Sequence, residues 1–335
     1  MAARPDSVAG TAASRTTPRS TPSGAVVTSS HPTFAGVVPP VVTPLHPDGT
    51  VDHAGLEAVV EHLVGAGVHG LFALGSTGET AYLTNAERAA VARTVVSAAA
   101  GRVPVIAGAI ELTAARVLDA ARPLVDAGVD AVVVTPAIYA IQDRQETADH
   151  FRRIAAGLDV PLWAYDVPVR THTKLPADLL VELALEGVLA GVKDSSGDDV
   201  GFRRLIAQNA AVGSPLRLLT GHEVVVDAML LAGADGAVPG LANVDAAGYV
   251  RLWDAAQRGD WAAARAEQER LNALFEIVFA PVGRSGDAAG VGAFKAAMAA
   301  QGLLASTTMS APIRALEGAV AQRVSDVVAA AGLGR

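Results

Sequence analysis

Of the 26 basic residues in this 335-residue chain only three are lysine: Lys174, Lys193 and Lys295. Lysine can lose its proton and act as an amine nucleophile, which arginine cannot do. Lys193 follows the apolar run Val188-Leu-Ala-Gly-Val192. At the edge of a low-dielectric core, desolvation favours the neutral amine, and a neutral amine can attack a ketone to form a Schiff base. The competing reading is an ion pair with Asp194 or Glu79. Lys174 falls in a loop and Lys295 in a C-terminal helical pattern, and both are expected at the surface.

Other residues could serve such an amine. Tyr165 ends a second apolar run and offers a phenol. Carbinolamine formation and dehydration need a proton carrier, and a phenol hydrogen-bonded to Ser76 or Thr77 can be one; a core tyrosine with a capped hydroxyl would read the same way. Gly75-Ser-Thr-Gly-Glu79 combines two hydroxyls with glycines that let backbone amides approach a carboxylate, although the string also suits a tight strand-to-helix turn. Arg170 carries a planar fork that fits a carboxylate bidentately, or else it pairs with Asp166 or a neighbouring subunit and holds its loop.

The elements that must position these groups are legible as eight apolar runs, at residues 37–42, 71–74, 103–107, 131–135, 161–165, 189–192, 216–219 and 236–238. Their mean spacing, about 28 residues, is the length of one strand–helix unit. Nearly continuous apolar runs are what parallel strands buried on both faces require. Gly67, Gly128 and Gly233 each follow an alanine and precede a run, as the left-handed position after a helix demands. Eight units predict an α/β fold, a (β/α)₈ TIM barrel, with its site at the C-terminal ends of the strands. The strand-end segments are Gly75–Glu79, Tyr165–Arg170, Gly191–Gly197 and Gly236–Gly240. Beyond residue 259 only helical patterns remain, over 261–279, 291–303 and 312–331. The predicted organisation is a disordered tail over 1–33, a barrel over 34–259 and a C-terminal helical subdomain over 260–335.

Composition excludes several classes. A net charge of −8 argues against nucleic-acid binding, and 4% aromatic residues against a stacking platform for single strands. The absence of cysteine removes disulfides, thiolate zinc sites and iron–sulfur clusters. Gly65-Ala-Gly-Val-His-Gly70 matches G-x-G-x-x-G, but it follows a helical pattern and enters a strand, the reverse of what dinucleotide binding needs. His222-Glu223 lacks the second histidine of H-E-x-x-H. No metal is expected. The tail is rich in Ser, Thr, Pro and Arg; its prolines would interrupt the amphipathic helix of a transit peptide. With no secretory core and no apolar run of membrane length, a cytoplasmic protein with no membrane partner is expected.

Taken together and in order, GSTGE, YDVP at 165–168 and VKD at 192–194 resemble the motifs of the dihydrodipicolinate synthase/N-acetylneuraminate lyase family of class I, pyruvate-handling aldolases. GLANV at 240–244 and FKAAM at 294–298 resemble further landmarks, and the resemblance covers residues 34–331. It implies a (β/α)₈ barrel with a C-terminal helical extension, a homotetramer or homodimer, and no metal or organic cofactor. By position it implies Lys193 as the Schiff-base lysine, Tyr165 as the proton shuttle, and Thr77 and Ser76 as binders of the 2-oxo acid carboxylate and proton relays. Val238 would touch pyruvate through its backbone, and Arg170 would hold the second substrate's carboxylate.

The chain also departs from that pattern. The family's T-P-Y-Y is Thr135-Pro-Ala-Ile138 here, so the relay tyrosine contributed by a neighbouring subunit is Ile138, with Tyr139 one place further on. His172 replaces the glycine after R-T. Leu112, Arg116 and Ala137 stand where regulated synthases bind lysine. His222 and Glu223 fall where sugar-acid lyases bind substrate hydroxyls. The resemblance therefore implies a lyase that condenses pyruvate with an aldehyde acid, in the manner of 4-hydroxy-tetrahydrodipicolinate synthase. The alternative is an aldolase or dehydratase acting on a 2-keto-3-deoxy sugar acid or an N-acetylneuraminate-like substrate. A phosphate-binding barrel using Gly236 and Gly240, and a 2-oxo-acid-binding paralogue without turnover, remain open.

Overall fold

The structure, a computed structural model, describes residues 33–334. Apart from Thr33, the expected tail lies outside the described residues. Eight strands appear where the apolar runs predict them: β1 Gly36–Val37, β2 Leu71–Ala73, β3 Val105–Gly108, β4 Ala131–Val134, β5 Leu162–Asp166, β6 Gly191–Asp194, β7 Arg217–Thr220 and β8 Gly236–Ala237. They form one parallel sheet in the order β1-β8-β7-β6-β5-β4-β3-β2. The ring closes between β1 and β2 through Phe72 N–H to the Pro39 carbonyl and Val41 N–H to the Phe72 carbonyl, each 2.9 Å. Pro39 and Pro40 lack N–H groups, so no regular ladder can form there. The architecture is the expected (β/α)₈ barrel.

The helices alternate with the strands as α1 His53–Gly65, α2 Asn85–Ala99, α3 Ala114–Asp126, α4 Arg144–Ala155, the short α5 Pro168–Thr171, α6 Ala177–Leu185, α7 Asp199–Ala211, α8 Val226–Ala232 and α9 Ala242–Gln257. Local sequence explains their starts: α2 and α4 open with capping boxes, Thr84 with Glu87 and Asp143 with Glu146. Gly67, Gly128 and Gly233 all have left-handed φ, between 87° and 107°, and each turns a helix end into the next strand. Gly65–Gly70 runs from the last residue of α1 to the residue before β2, the wrong way round for a phosphate cradle.

After α9 the chain continues as α10 Trp261–Phe275, α11 Gly286–Ala289, α12 Val291–Ala300 and α13 Gly318–Ala330. The helix expected over 312–331 thus begins six residues late. Tertiary contacts take up the backbone before it: Ser310 N–H donates to Glu79 at 2.7 Å and the Ala315 carbonyl accepts from Arg284 at 2.8 Å. Among the described residues no helix is long and apolar enough to cross a membrane.

Strand alternation divides the core into two shells. Val132, Val134, Leu162, Ala164 and Val192 face the helices. Val133, Trp163, Tyr165, Leu219, Val238 and Phe72 fill the barrel interior. Gly191 faces inward too, and a Cβ there would meet the Trp163 ring at 2.6 Å. The indole fills the space beneath the next inward residue of β6, which is Lys193.

Candidate active site

Tyr165 and Lys193 are direct cross-strand partners on β5 and β6, so the register alone sets them side by side at the C-terminal rim. Lys193 is 5% exposed and Tyr165 3%. The Lys193 ammonium stands 4.3 Å from the centre of the Tyr165 ring and 4.8 Å from that of Phe72, a cation held over aromatic faces at the mouth of an apolar barrel. The Tyr165 hydroxyl hydrogen-bonds with Ser76, Ser195 and Lys193. Burial pushes the phenol up, but the Lys193 charge and these hydrogen bonds outweigh it and hold the phenol below its usual range. A phenol so poised can give and take a proton next to the amine.

Both competing partners of Lys193 are engaged elsewhere. Glu79 pairs with Lys295, and Asp194 lies 3.3 Å from Lys174. Among the described residues Lys193 is the one lysine outside an ion pair. The surface expectation for the other two is corrected. Lys295 is fully buried in α12, pairs with Glu79 and donates to the Thr308 carbonyl at 2.8 Å. A buried Glu79 needs a buried cation, and no sequence periodicity in α12 announces that. Lys174 is in a loop and partly exposed, but its ammonium bridges Asp166 and Asp194. These carboxylates are one residue beyond Tyr165 and Lys193 and are also paired in register, so the bridge ties together the strand ends that carry the site. Burial pushes Asp166 up to about 6, against the pull of Lys174.

The Gly75–Glu79 turn closes over strand β2. The amides of Gly78 and Glu79 donate to carbonyls within the turn at 3.1 Å, and the buried Thr43 hydroxyl holds the Gly78 carbonyl at 2.8 Å. Among the described residues the amides of Ser76 and Thr77 take no part in those bonds, so they and the two hydroxyls are what the turn offers a ligand. Val238 is buried in the interior shell and donates its amide to the Thr220 carbonyl at 2.7 Å.

On the other side of the mouth, Glu223 accepts from the Leu241 amide at 2.6 Å and also from that of Gly240; burial pushes its carboxyl up to about 7, and the Lys193 charge acts on it. His222 holds Asp199 through Nδ1 at 2.9 Å. Arg170, at the end of α5, pairs not with Asp166 but with Asp287 of α11, which also accepts from the Tyr82 hydroxyl at 2.9 Å. Sequence reading missed Asp287 and Tyr82, because a contact 117 residues long leaves no local pattern. Two expected specificity residues stand apart. Tyr139 is 92% exposed with φ 73°, and within one chain it does not join the Lys193–Tyr165 pair. His172 caps α5 from a left-handed conformation with its side chain in solvent.

The profile of the dihydrodipicolinate synthetase family matches residues 33–331. A 4-hydroxy-tetrahydrodipicolinate synthase of Phenylobacterium zucineum is 35% identical over 249 residues, 74% of this chain and 83% of that protein. An uncharacterized DapA-like lyase of Halobacterium salinarum is 37% identical over 288 residues, 84% of this chain and 89% of that protein. Among solved structures, YagE of E. coli K12, a prophage protein of the dihydrodipicolinic acid synthase family in complex with pyruvate, superposes with a TM-score of 0.83. It is 27% identical, over 90% of this chain and 99% of that one.

Proposed function

The chain belongs to the dihydrodipicolinate synthetase family, and on that premise we propose that it is a Schiff-base lyase whose Lys193 condenses with pyruvate or a related 2-oxo acid. The observation that carries the proposal is the pairing of Tyr165 with a lysine that has no carboxylate partner. The Lys193 amine attacks the ketone carbon, and the ketone oxygen leaves as water with protons delivered through Tyr165 and Ser76. Loss of one proton from carbon 3 gives an enamine. That carbon attacks an aldehyde carbon, whose oxygen takes up a proton, and water then hydrolyses the imine to release product and free lysine. Run backwards, the same steps cleave the carbon–carbon bond. Thr77 and Ser76 hold the 2-oxo acid carboxylate, and the Val238 backbone lines the same pocket.

For the second substrate there are two readings. The relatives' name, 4-hydroxy-tetrahydrodipicolinate synthase, favours an aldehyde acid held by Arg170. The closeness of Glu223 to Lys193, with His222 beside it, favours a hydroxylated partner such as the aldehyde half of a 2-keto-3-deoxy sugar acid. In both readings the enzyme acts in the cytoplasm as a homo-oligomer, with no metal or organic cofactor.

Borohydride reduction in the presence of pyruvate is expected to add a stable mass to the Lys193 peptide alone. Labelling of Lys174 or Lys295 instead would refute the assignment. Free lysine is expected to leave activity unchanged at millimolar concentration. The Arg116 guanidinium pairs with Glu111 at 3.1 Å, and Leu112 and Ala137 offer an ammonium no carboxylate. Saturable inhibition would show a regulatory site that these residues do not provide.

A further inference from the structure

The guanidinium of Arg170 is already occupied. Both of its terminal nitrogens reach the two oxygens of Asp287, one of them at 3.3 Å, and the Tyr82 hydroxyl adds a third bond to the same carboxylate. The Asp287 side chain is only 13% exposed against 46% for Arg170, and the Ser285 cap of α11 fixes its turn. Burial pushes Asp287 up, but the bonds from Arg170 and Tyr82 prevail and hold it below the usual carboxylate range, so it stays ionised at neutral pH.

The remaining charges around the mouth do not offer a replacement. His222 is taken by Asp199, Lys174 by Asp166 and Asp194, and Glu223 brings a carboxyl of its own. Once Lys193 is bound in the imine, a second substrate carboxylate would find carboxylates on both sides and, among the described residues around the mouth, no uncompensated cation. Its desolvation would go unreturned. Hydroxyl groups fit the same surroundings, since Glu223, Asp199 and the free edges of Asp287 all accept hydrogen bonds.

We propose that Asp287 is a specificity-determining residue: by neutralising Arg170 it selects an uncharged hydroxyaldehyde, rather than an aldehyde acid, as the partner of the enamine. The inference rests on the imine reading above and decides between its two second substrates. In the bond-forming step the enamine carbon joins the aldehyde carbon and the aldehyde oxygen takes one proton. The only carboxylate in the product is then the one contributed by pyruvate.

The test compares kcat/KM for D-glyceraldehyde and for succinic semialdehyde, each with pyruvate. The full-length enzyme is expected to favour glyceraldehyde. Asp287→Asn keeps the shape but frees the Arg170 charge, and should move the ratio towards succinic semialdehyde by about 10-fold or more, the order of one charge-assisted hydrogen bond. Adding Arg170→Gln to that variant should abolish the shift. Arg170→Gln alone, which does not depend on the Asp287 variant folding, should leave the preference for glyceraldehyde in place. The proposal is overturned if the wild type favours the aldehyde acid or accepts neither aldehyde. It is equally overturned if Asp287→Asn leaves the ratio unmoved, or if Arg170→Gln selectively removes turnover of succinic semialdehyde. Pyruvate trapping on wild-type Lys193 is read separately, and its failure would instead refute the imine reading.

Discussion

Tyr165→Phe is expected to keep the fold and to lower turnover by about 10²–10⁴-fold, the usual worth of a positioned acid–base group. The ring is a wall of the barrel interior, packed edge-on against Phe72 at 6.2 Å, and phenylalanine preserves that contact. What is lost is the one hydroxyl that links Lys193 to Ser76 and Ser195. Imine formation should therefore slow while the melting temperature barely changes, and pyruvate should still label Lys193 when given longer to react. Turnover close to wild type in this variant would remove Tyr165 from the mechanism. An early-melting variant with unchanged specific activity per folded molecule would make the hydroxyl structural.

Lys295→Met should produce a large loss of stability. It leaves Glu79 buried without its counter-charge, and breaking a buried pair from one side costs about 3–5 kcal/mol. For a chain of this size, at about 2 °C per kcal/mol, that is a fall in melting temperature of roughly 6–10 °C. Activity should fall as well, because Glu79 closes the turn that carries Ser76 and Thr77 and has a left-handed backbone, φ 57°. The ion pair and the Ser310 amide, at 2.7 Å, are what hold that conformation from the C-terminal helices. Combining Lys295→Met with Glu79→Gln removes both charges and should recover part of the loss. A single variant that melts within about 2 °C of wild type would show that Glu79 finds another partner or takes up a proton.

The chemistry at the rim was more legible than its scaffolding. Lys193, Tyr165 and the Ser76–Thr77 turn stand at the ends of apolar runs, and strand ends of a parallel barrel converge by geometry. A reading that located the strands therefore located these residues together. The sequence marks Arg170 but not its partner Asp287, and it marks Glu79 as a candidate partner of Lys193, whereas its counter-charge is Lys295. Helix boundaries followed the same rule. The glycine ends at Gly67, Gly128 and Gly233 agree with the sequence reading, while the start of α13 is displaced by contacts to Glu79 and Arg284 that lie far away in the chain.

By itself, the sequence determined the barrel, the lysine and tyrosine at the ends of neighbouring strands, and the chemistry open to them. These follow from hydrophobic periodicity and from side chains adjacent to it, which are short-range properties of a linear chain. Only the tertiary structure decided which charges remain free. Ion pairs such as Lys295 with Glu79, Lys174 with Asp166 and Asp194, and Arg170 with Asp287 join residues 8 to 216 positions apart. Each forms because burial makes an unpaired charge costly, whatever the distance along the chain. Lys193 is the lysine left without a carboxylate because the fold provides each of the other two with one.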